Sequence, residues 1–346
     1  MTRVYLIILF AAGILLSGCV ESNNSRSASG SLAAPEGMSV YLKNLPAVKD
    51  ARPWQNEYGP GIMITTAHYE IYTTLLEPLM LRQASAFVES AYKAYQDQLP
   101  DTIETEIKFV VYLFATRGQW EDFTKTFVGP QWPMYMKIKK GAYYLNGACV
   151  TYNIGRSRTF SVLGHEGWHQ FNSRHFTYRL PSWLDEGIAT LFETYRYEKG
   201  FFYFEPDRNG GRLGSLKQTL QKGKMIPIKN LISLNPGQVI KDADSTLGFY
   251  AQAYAVVRFL REDGYGKRLS KYHNMLLGAL RGNWPLKPGA RRIAADRNIP
   301  MTAAFNTYVS QQIFPLYIDE DLSLLDEEYR DFCRRIVYHV RLRGSK

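Results

Sequence analysis

Residues 159–171 read Thr-Phe-Ser-Val-Leu-Gly-His165-Glu166-Gly167-Trp168-His169-Gln170-Phe171. Wound as a helix, this stretch puts residues four apart on one face about a turn from each other, so His165 and His169 present two imidazoles side by side. Two imidazoles so placed can grip one zinc ion. Glu166, one residue past the first histidine, is rotated by about 100° around the helix. There its carboxylate reaches a water on the metal rather than the metal itself, the position of a general base. The chain has 6 histidines in 346 residues, and an accidental His-Glu-x-x-His match is expected about 0.005 times in such a chain. Gly167 inside the motif costs a helix about 1 kcal/mol relative to alanine, a local rule broken where chemistry is expected.

A catalytic zinc site takes three protein ligands and leaves one position for water, and two residues compete for the third place. Glu186 stands in Pro181-Ser182-Trp183-Leu184-Asp185-Glu186-Gly187-Ile188-Ala189. The loop 172–180 lets the chain reverse, so that a second helix can pack Trp183, Ile188 and Ala189 against the first and present Glu186 to the metal. The competitor is His175: His165, His169, Asn172 and His175 have the metzincin spacing, with asparagine where that group has glycine, and asparagine tolerates a left-handed backbone. Metzincins also need a methionine turn under the metal, and Met225, the nearest downstream methionine, has no supporting context.

The Trp183-Leu184-Asp185-Glu186-Gly187-Ile188-Ala189 element, together with His165, Glu166 and His169, resembles the gluzincin metallopeptidases, of the peptidase MA-like kind found among secreted bacterial proteins. The likeness runs from Glu70-Ile71-Tyr72 through Val110-Val111-Tyr112-Leu113-Phe114 to Tyr250-Ala251-Gln252-Ala253-Tyr254-Ala255-Val256-Val257. It implies zinc on His165, His169 and Glu186, hydrolysis of a peptide bond with Glu166 as base, and an α+β zincin-like fold. In that fold a mixed sheet packs on the helix of the two histidines. The resemblance also implies a tyrosine that donates to the tetrahedral intermediate, Tyr250 or Tyr254, with Tyr250 taken first. It implies too an edge strand before the metal helix that aligns the substrate backbone, for which 147–152 is the candidate because Gly147 and Ala148 permit close approach. Thr190 stands where thermolysin-type relatives place an aspartate that orients a ligand histidine, so that role is absent or filled from elsewhere. Glu193, two turns beyond Glu186, reads either as such a partner or as a solvated helix carboxylate.

The elements that must position these groups follow from periodicity. Residues 62–72 are β-branched and aromatic and predict one or two strands. Leu75–Leu99 carries apolar residues at helical spacing up to Pro100, Ile107–Ala115 is an apolar run fit for the middle of a sheet, and Thr116–Phe127 looks helical. Gly141–Tyr152, broken at Asn146-Gly147, predicts a hairpin. Beyond the motif the pattern predicts a helix from Trp183 to Tyr197, a Gly- and Arg-rich loop through residue 214, a helix from Phe249 to Arg261, and several helices from Lys267 onward. The organisation expected is a catalytic domain over 41–265 with a helical C-terminal part of the same domain over 266–346.

At the N-terminus, Arg3 precedes an apolar run from Val4 to Leu16 that is too short to span a bilayer and reads as a signal peptide over residues 1–18. Leu16-Ser17-Gly18-Cys19 resembles the bacterial lipobox, which implies a lipid on Cys19, and Val20 after it implies the outer membrane if the host is Gram-negative. Residues 19–40 are poor in large apolar groups and read as a tether, so a cell-envelope lipoprotein held to the membrane by its lipid is expected. With 45% hydrophobic and 14% aromatic residues, the remainder is ample for a sizeable core. Cys149 and Cys333 read as two separate buried thiols. The net charge of +10 is scattered among acids such as Glu262-Asp263 and Asp319-Glu320-Asp321. That scatter argues against nucleic acid and for nearness to anionic lipid or cell-wall polymer. The expected partner is a peptide or protein substrate, and a monomer is expected. Two other readings stay open. One is an envelope-binding module that uses the aromatic segments Phe201–Phe204 and Trp132–Tyr135; the other is a zinc hydrolase acting on a non-peptide amide.

Overall fold

The computed structural model describes residues 35–139, 141–234, 238, 243–299 and 302–341. The expected signal peptide, Cys19 and most of the expected tether lie outside the described residues. Residues 35–40 of the expected tether are helical, in α1 (Pro35–Lys43). Met38 and Leu42, four apart, put one stripe of this helix into the core, which is why it is not part of a polar linker.

Six strands, β1 (Asp50–Pro53), β2 (Ile62–Thr65), β3 (Tyr69–Thr73), β4 (Phe109–Phe114), β5 (Ala142–Leu145) and β6 (Ala148–Tyr152), form one mixed sheet in the order β1-β2-β3-β4-β6-β5. The centre, β3-β4-β6, is parallel and both flanks are antiparallel. Parallel neighbours need crossovers, supplied by α2 (Pro78–Gln96) between β3 and β4 and by α3 (Arg117–Val128) with the short α4 (Trp132–Tyr135) after β4. Side chains alternate across β4: Phe109, Val111 and Leu113 enter the main core, while Val110, Tyr112 and Phe114 join Trp120, Phe123 and Val150 in a second cluster under α3. Asn146 and Gly147, both at positive φ (49° and 83°), turn β5 into β6, as a two-residue hairpin with this pair requires.

On the main face lies α5 (Arg156–His175), which packs on α2, β5 and β6. It is seated by Gln170, whose amide donates to Val110 O at 2.9 Å and Gly147 O at 2.8 Å, and by Tyr95 of α2, whose hydroxyl donates to Gly164 O at 2.8 Å. A Cβ on Gly167 would collide with that same tyrosine hydroxyl. The glycine that weakens the helix is thus what lets α2 and α5 close up.

Beyond α5 the expected helix from Trp183 to Tyr197 is corrected. It stops as α6 (Ser182–Ala189) with a 3₁₀ turn at Thr190–Phe192, and the chain then forms a ribbon of β7 (Tyr195–Glu198) and β8 (Phe201–Phe204). Tyr195, Tyr197, Phe202 and Phe204 share one face of it, and Lys199-Gly200, at φ 51° and 90°, make its turn. The loop expected through residue 214 is helical from Gly210: α7 (Gly210–Gln221) is capped by the Asn209 side chain, which outweighs three weak helix formers at 210, 211 and 214. Next come α8 (Ile228–Leu231) and α9 (Ala243–Gly266), whose helical backbone breaks at Asp263–Tyr265. The remaining helices are α10 (Leu269–Leu280), α11 (Pro288–Ala295), α12 (Ala303–Tyr317) and α13 (Leu322–Ile336). Buried apolar side chains run as one cluster from Met38 to Val337. No helix among the described residues is long and apolar enough to cross a membrane.

Candidate metal centre

The four-residue spacing in α5 turns His165 and His169 to one side, their ring centroids 5.1 Å apart. Opposite them α6 brings Glu186. Its Oε2 lies 3.3 Å from His165 Nε2 and 3.8 Å from His169 Nε2. One donor atom from each of the three residues falls within 4.8 Å of the other two, and all three residues are buried.

The return of the chain from α5 to α6 is not left to a free loop. Thr177 and Tyr178 donate backbone N–H groups to Leu280 O and Ala279 O, and Arg179 N–H to Ala294 O. Asn306 of α12 accepts from Ser182 N–H at 2.9 Å, the first residue of α6. Gly187 lets α6 lie directly on α9, since a Cβ there would come within 2.5 Å of Ala253 O.

Each histidine is oriented from behind. His165 Nδ1 bonds Glu193 Oε1 at 3.0 Å and His169 Nδ1 bonds Asp185 Oδ1 at 3.0 Å, which puts the proton on Nδ1 and leaves each Nε2 lone pair facing Glu186. Asp185 Oδ1 also accepts from Trp168 Nε1 and Asn172 Nδ2. Glu193 is gripped by Arg212 and Asn209. Of the two readings of Glu193, the partner role is the one found. The Thr190 hydroxyl donates to Gly187 O at 2.6 Å, and the carboxylates that bond the two histidines are Glu193 and Asp185. Asp185, Asn209 and Arg212 are residues the sequence reading missed. The available signal was a carboxylate at 185 inside an otherwise apolar buried element.

Four carboxylates, Glu166, Asp185, Glu186 and Glu193, are thus gathered in the interior. Burial pushes Glu166 up to about 7, although His165 and His169 pull it back. For His165, burial disfavours the charged ring, yet Glu186 and Glu193 outweigh it and push it up to about 10. His169 is raised the same way by Asp185 against its own burial. The cause of both shifts is the same, carboxylates around the two rings that leave the pocket short of positive charge. His169 Nε2 and Glu186 Oε2 have no hydrogen bond, and neither does Glu166 Oε2; His165 Nε2 lies 3.3 Å from Glu186 Oε2. Buried donors without partners, facing one another with excess negative charge, fit a metal cation. His165, His169 and Glu186 could hold one.

Tyr250, on α9, is buried at 2% exposure with its hydroxyl unpartnered, and burial raises its pKa well above the usual range. Tyr254 is committed elsewhere, donating to Pro206 O and accepting from Arg258, which leaves Tyr250 as the tyrosine with a free hydroxyl. His175 is not in the metal group. Its ring packs on Phe171 and Phe109, with centroids 4.5 Å and 5.9 Å away. The edge strand is also corrected: 147–152 contains β6, paired on both sides, and the edge is β5. From that edge Tyr144 N–H bonds Glu166. In the two aromatic segments, Phe202 and Tyr135 are core while Phe201 and Trp132 are exposed. Cys149 and Cys333 are separate buried thiols.

No protein-family model matches this chain, and a search of curated proteins finds no match.

Proposed function

We propose that the protein is a zinc-dependent peptidase of gluzincin type, a zincin-like fold on a lipid-anchored chain of the bacterial cell envelope. The observation that carries this reading is the buried cluster of His165, His169 and Glu186 with the unpartnered Glu166 carboxylate beside it. Two imidazoles and one carboxylate are a catalytic zinc donor set. Zinc held there supplies polarisation of the scissile carbonyl and acidification of the attacking water.

The chain's own groups do the rest. Glu166, raised toward neutrality, accepts the proton from the attacking water at Oε2 as the new C–O bond forms, and returns it to the leaving nitrogen as the C–N bond breaks. Glu193 and Asp185 keep His165 and His169 in the Nδ1–H form throughout. The Tyr250 hydroxyl, buried and without a partner, donates to the oxyanion as charge develops. The outer edge of β5 offers an extended peptide a strand to pair with.

Metal analysis of the purified protein tests the ligand set. About one zinc per chain is expected in wild type and His175→Ala, and none in Glu186→Ala. Zinc at full occupancy in Glu186→Ala would sink the proposal.

A further inference from the structure

Arg212 has no task in the reaction as derived above, yet it touches two groups that do. We infer that Arg212 is a positioning residue of the metal centre, a single guanidinium that sets both the orientation of His165, through Glu193, and the placement of the Tyr250 ring. Its effect on turnover rests on the zinc-peptidase reading, whereas its effect on His165 rests on donor geometry alone.

The contacts form a chain. Arg212 lies in the first turn of α7, where its N–H is accepted by Asn209 Oδ1 at 3.1 Å. Its Nε donates to Glu193 Oε2 at 2.8 Å and its Nη2 to Glu193 Oε1 at 2.5 Å, a two-point fork. Asn209 Nδ2 adds a third donor to Oε2 at 2.9 Å. Glu193 Oε1 is then aimed at His165 Nδ1, 3.0 Å away. On its other side the Arg212 Cζ stands 5.1 Å from the centroid of the Tyr250 ring. The side chains of Arg212 and Glu193 are 15% and 14% exposed, so solvent screens these contacts little.

This arrangement needs a guanidinium. A planar fork fixes the plane of a carboxylate, and a flat cation stacks on a ring face; an ammonium does neither as well. The Tyr250 hydroxyl makes no hydrogen bond, so the ring is held by packing and by the cation over its face. One residue thereby joins α5, the turn after α6, and α9 at the points where they meet the metal group. A purely structural ion pair would behave differently: breaking it would lower the melting temperature without changing how the folded protein holds zinc or turns over.

The test uses full-length protein, with zinc affinity read by chelator competition and peptide hydrolysis read as kcat and KM. Arg212→Lys and Glu193→Gln should each weaken zinc about 10- to 100-fold, and the double variant should be no weaker than the worse single one. At saturating zinc, Arg212→Lys should lower kcat about 10-fold with KM within about two-fold, and this loss should shrink in a Tyr250→Phe background. Unchanged zinc affinity in Arg212→Lys, with only the melting temperature lowered, overturns the inference; so does a kcat loss that adds in full to that of Tyr250→Phe. Should Arg212→Lys not fold, unchanged zinc affinity in Glu193→Gln overturns it instead. Wild type that binds zinc but cleaves no peptide removes the peptidase reading, and the zinc comparison still decides the role of Arg212.

Discussion

Glu166 and Glu186 are both buried carboxylates with an oxygen that meets no hydrogen bond, and the different tasks proposed for them rest on what surrounds them. Glu186 faces both Nε2 atoms, while Glu166 sits one residue around the helix, held by the Tyr144 N–H and pushed up by burial to about 7. Glu166→Gln keeps the shape and removes the base, so zinc content should stay at wild-type level while kcat falls about 10²- to 10⁴-fold; zinc analysis beside a peptide assay checks both halves. His175 supplies a pH test away from the metal group. Burial lowers its pKa, so the unfolded chain takes up a proton near pH 6.5 while the folded chain does so only at lower pH. The stability due to the neutral ring is therefore complete above about pH 6.5 and is lost as pH falls below it. Urea melts between pH 7.5 and 5 should show a shallower loss in His175→Phe than in wild type, and parallel curves would refute the assignment. At this scale the candidate site was legible because His165, Glu166, His169 and Glu186 sit in short, self-contained patterns. Asp185, Asn209 and Arg212 were not, because their meaning depends on which ring or carboxylate the fold brings beside them.

Elements were legible where one period dominated. The strand Phe109–Phe114 and α2 came through because their apolar residues match one template, and α5 because the four-residue spacing of His165 and His169 calls for a helix. The stretch from 183 to 204 matches two. Leu184, Ile188, Leu191 and Tyr195 continue a helical spacing, yet Tyr195, Tyr197, Phe202 and Phe204 alternate like strands, and periodicity alone does not choose between them. The turn at Lys199-Gly200 and the core under β8 make the choice. Gly167 shows the same contest between local and tertiary preference in a form that can be measured. Helix propensity alone says Gly167→Ala gains about 1 kcal/mol, whereas overpacking typically costs about 1–3 kcal/mol. With the Tyr95 hydroxyl in the way, packing should win, and the variant should be destabilised by up to about 2 kcal/mol in thermal or urea melts. Removing that hydroxyl in Tyr95→Phe should make the same substitution less costly, leaving only the 3.2 Å approach to the ring Cζ. Equal effects of Gly167→Ala in both backgrounds would show that Tyr95 is not the obstacle.

The molecule as a whole does not divide at residue 266 into a working domain and an appendix. Sequence periodicity announced the C-terminal helices but not what they hold, because the contacts that matter run to backbone carbonyls far away in the chain. Three of the residues between α5 and α6 bond carbonyls of 279, 280 and 294, Arg179 adds side-chain bonds to Ile293 O and Ile299 O, and Asn306 caps α6. The helix that carries Asp185 and Glu186 is thus placed from beyond residue 266. Truncation after Gly266 would strip α9 of Tyr329 and Phe332, which pack on Phe259, and would leave the α5–α6 connection with backbone and guanidinium donors unpaired, each costing about 1–3 kcal/mol where water cannot replace the partner. Summed over these contacts the loss rivals the whole stability of a typical domain, about 5–15 kcal/mol. A chain ending at Gly266 should therefore lack a cooperative thermal transition and bind no zinc in excess metal, while the full chain does both. Near-ultraviolet circular dichroism and metal analysis on the two chains decide it: a truncated chain that melts cooperatively with zinc bound would mean that residues before 267 place Glu186 by themselves, and that the C-terminal helices only cover a site already formed.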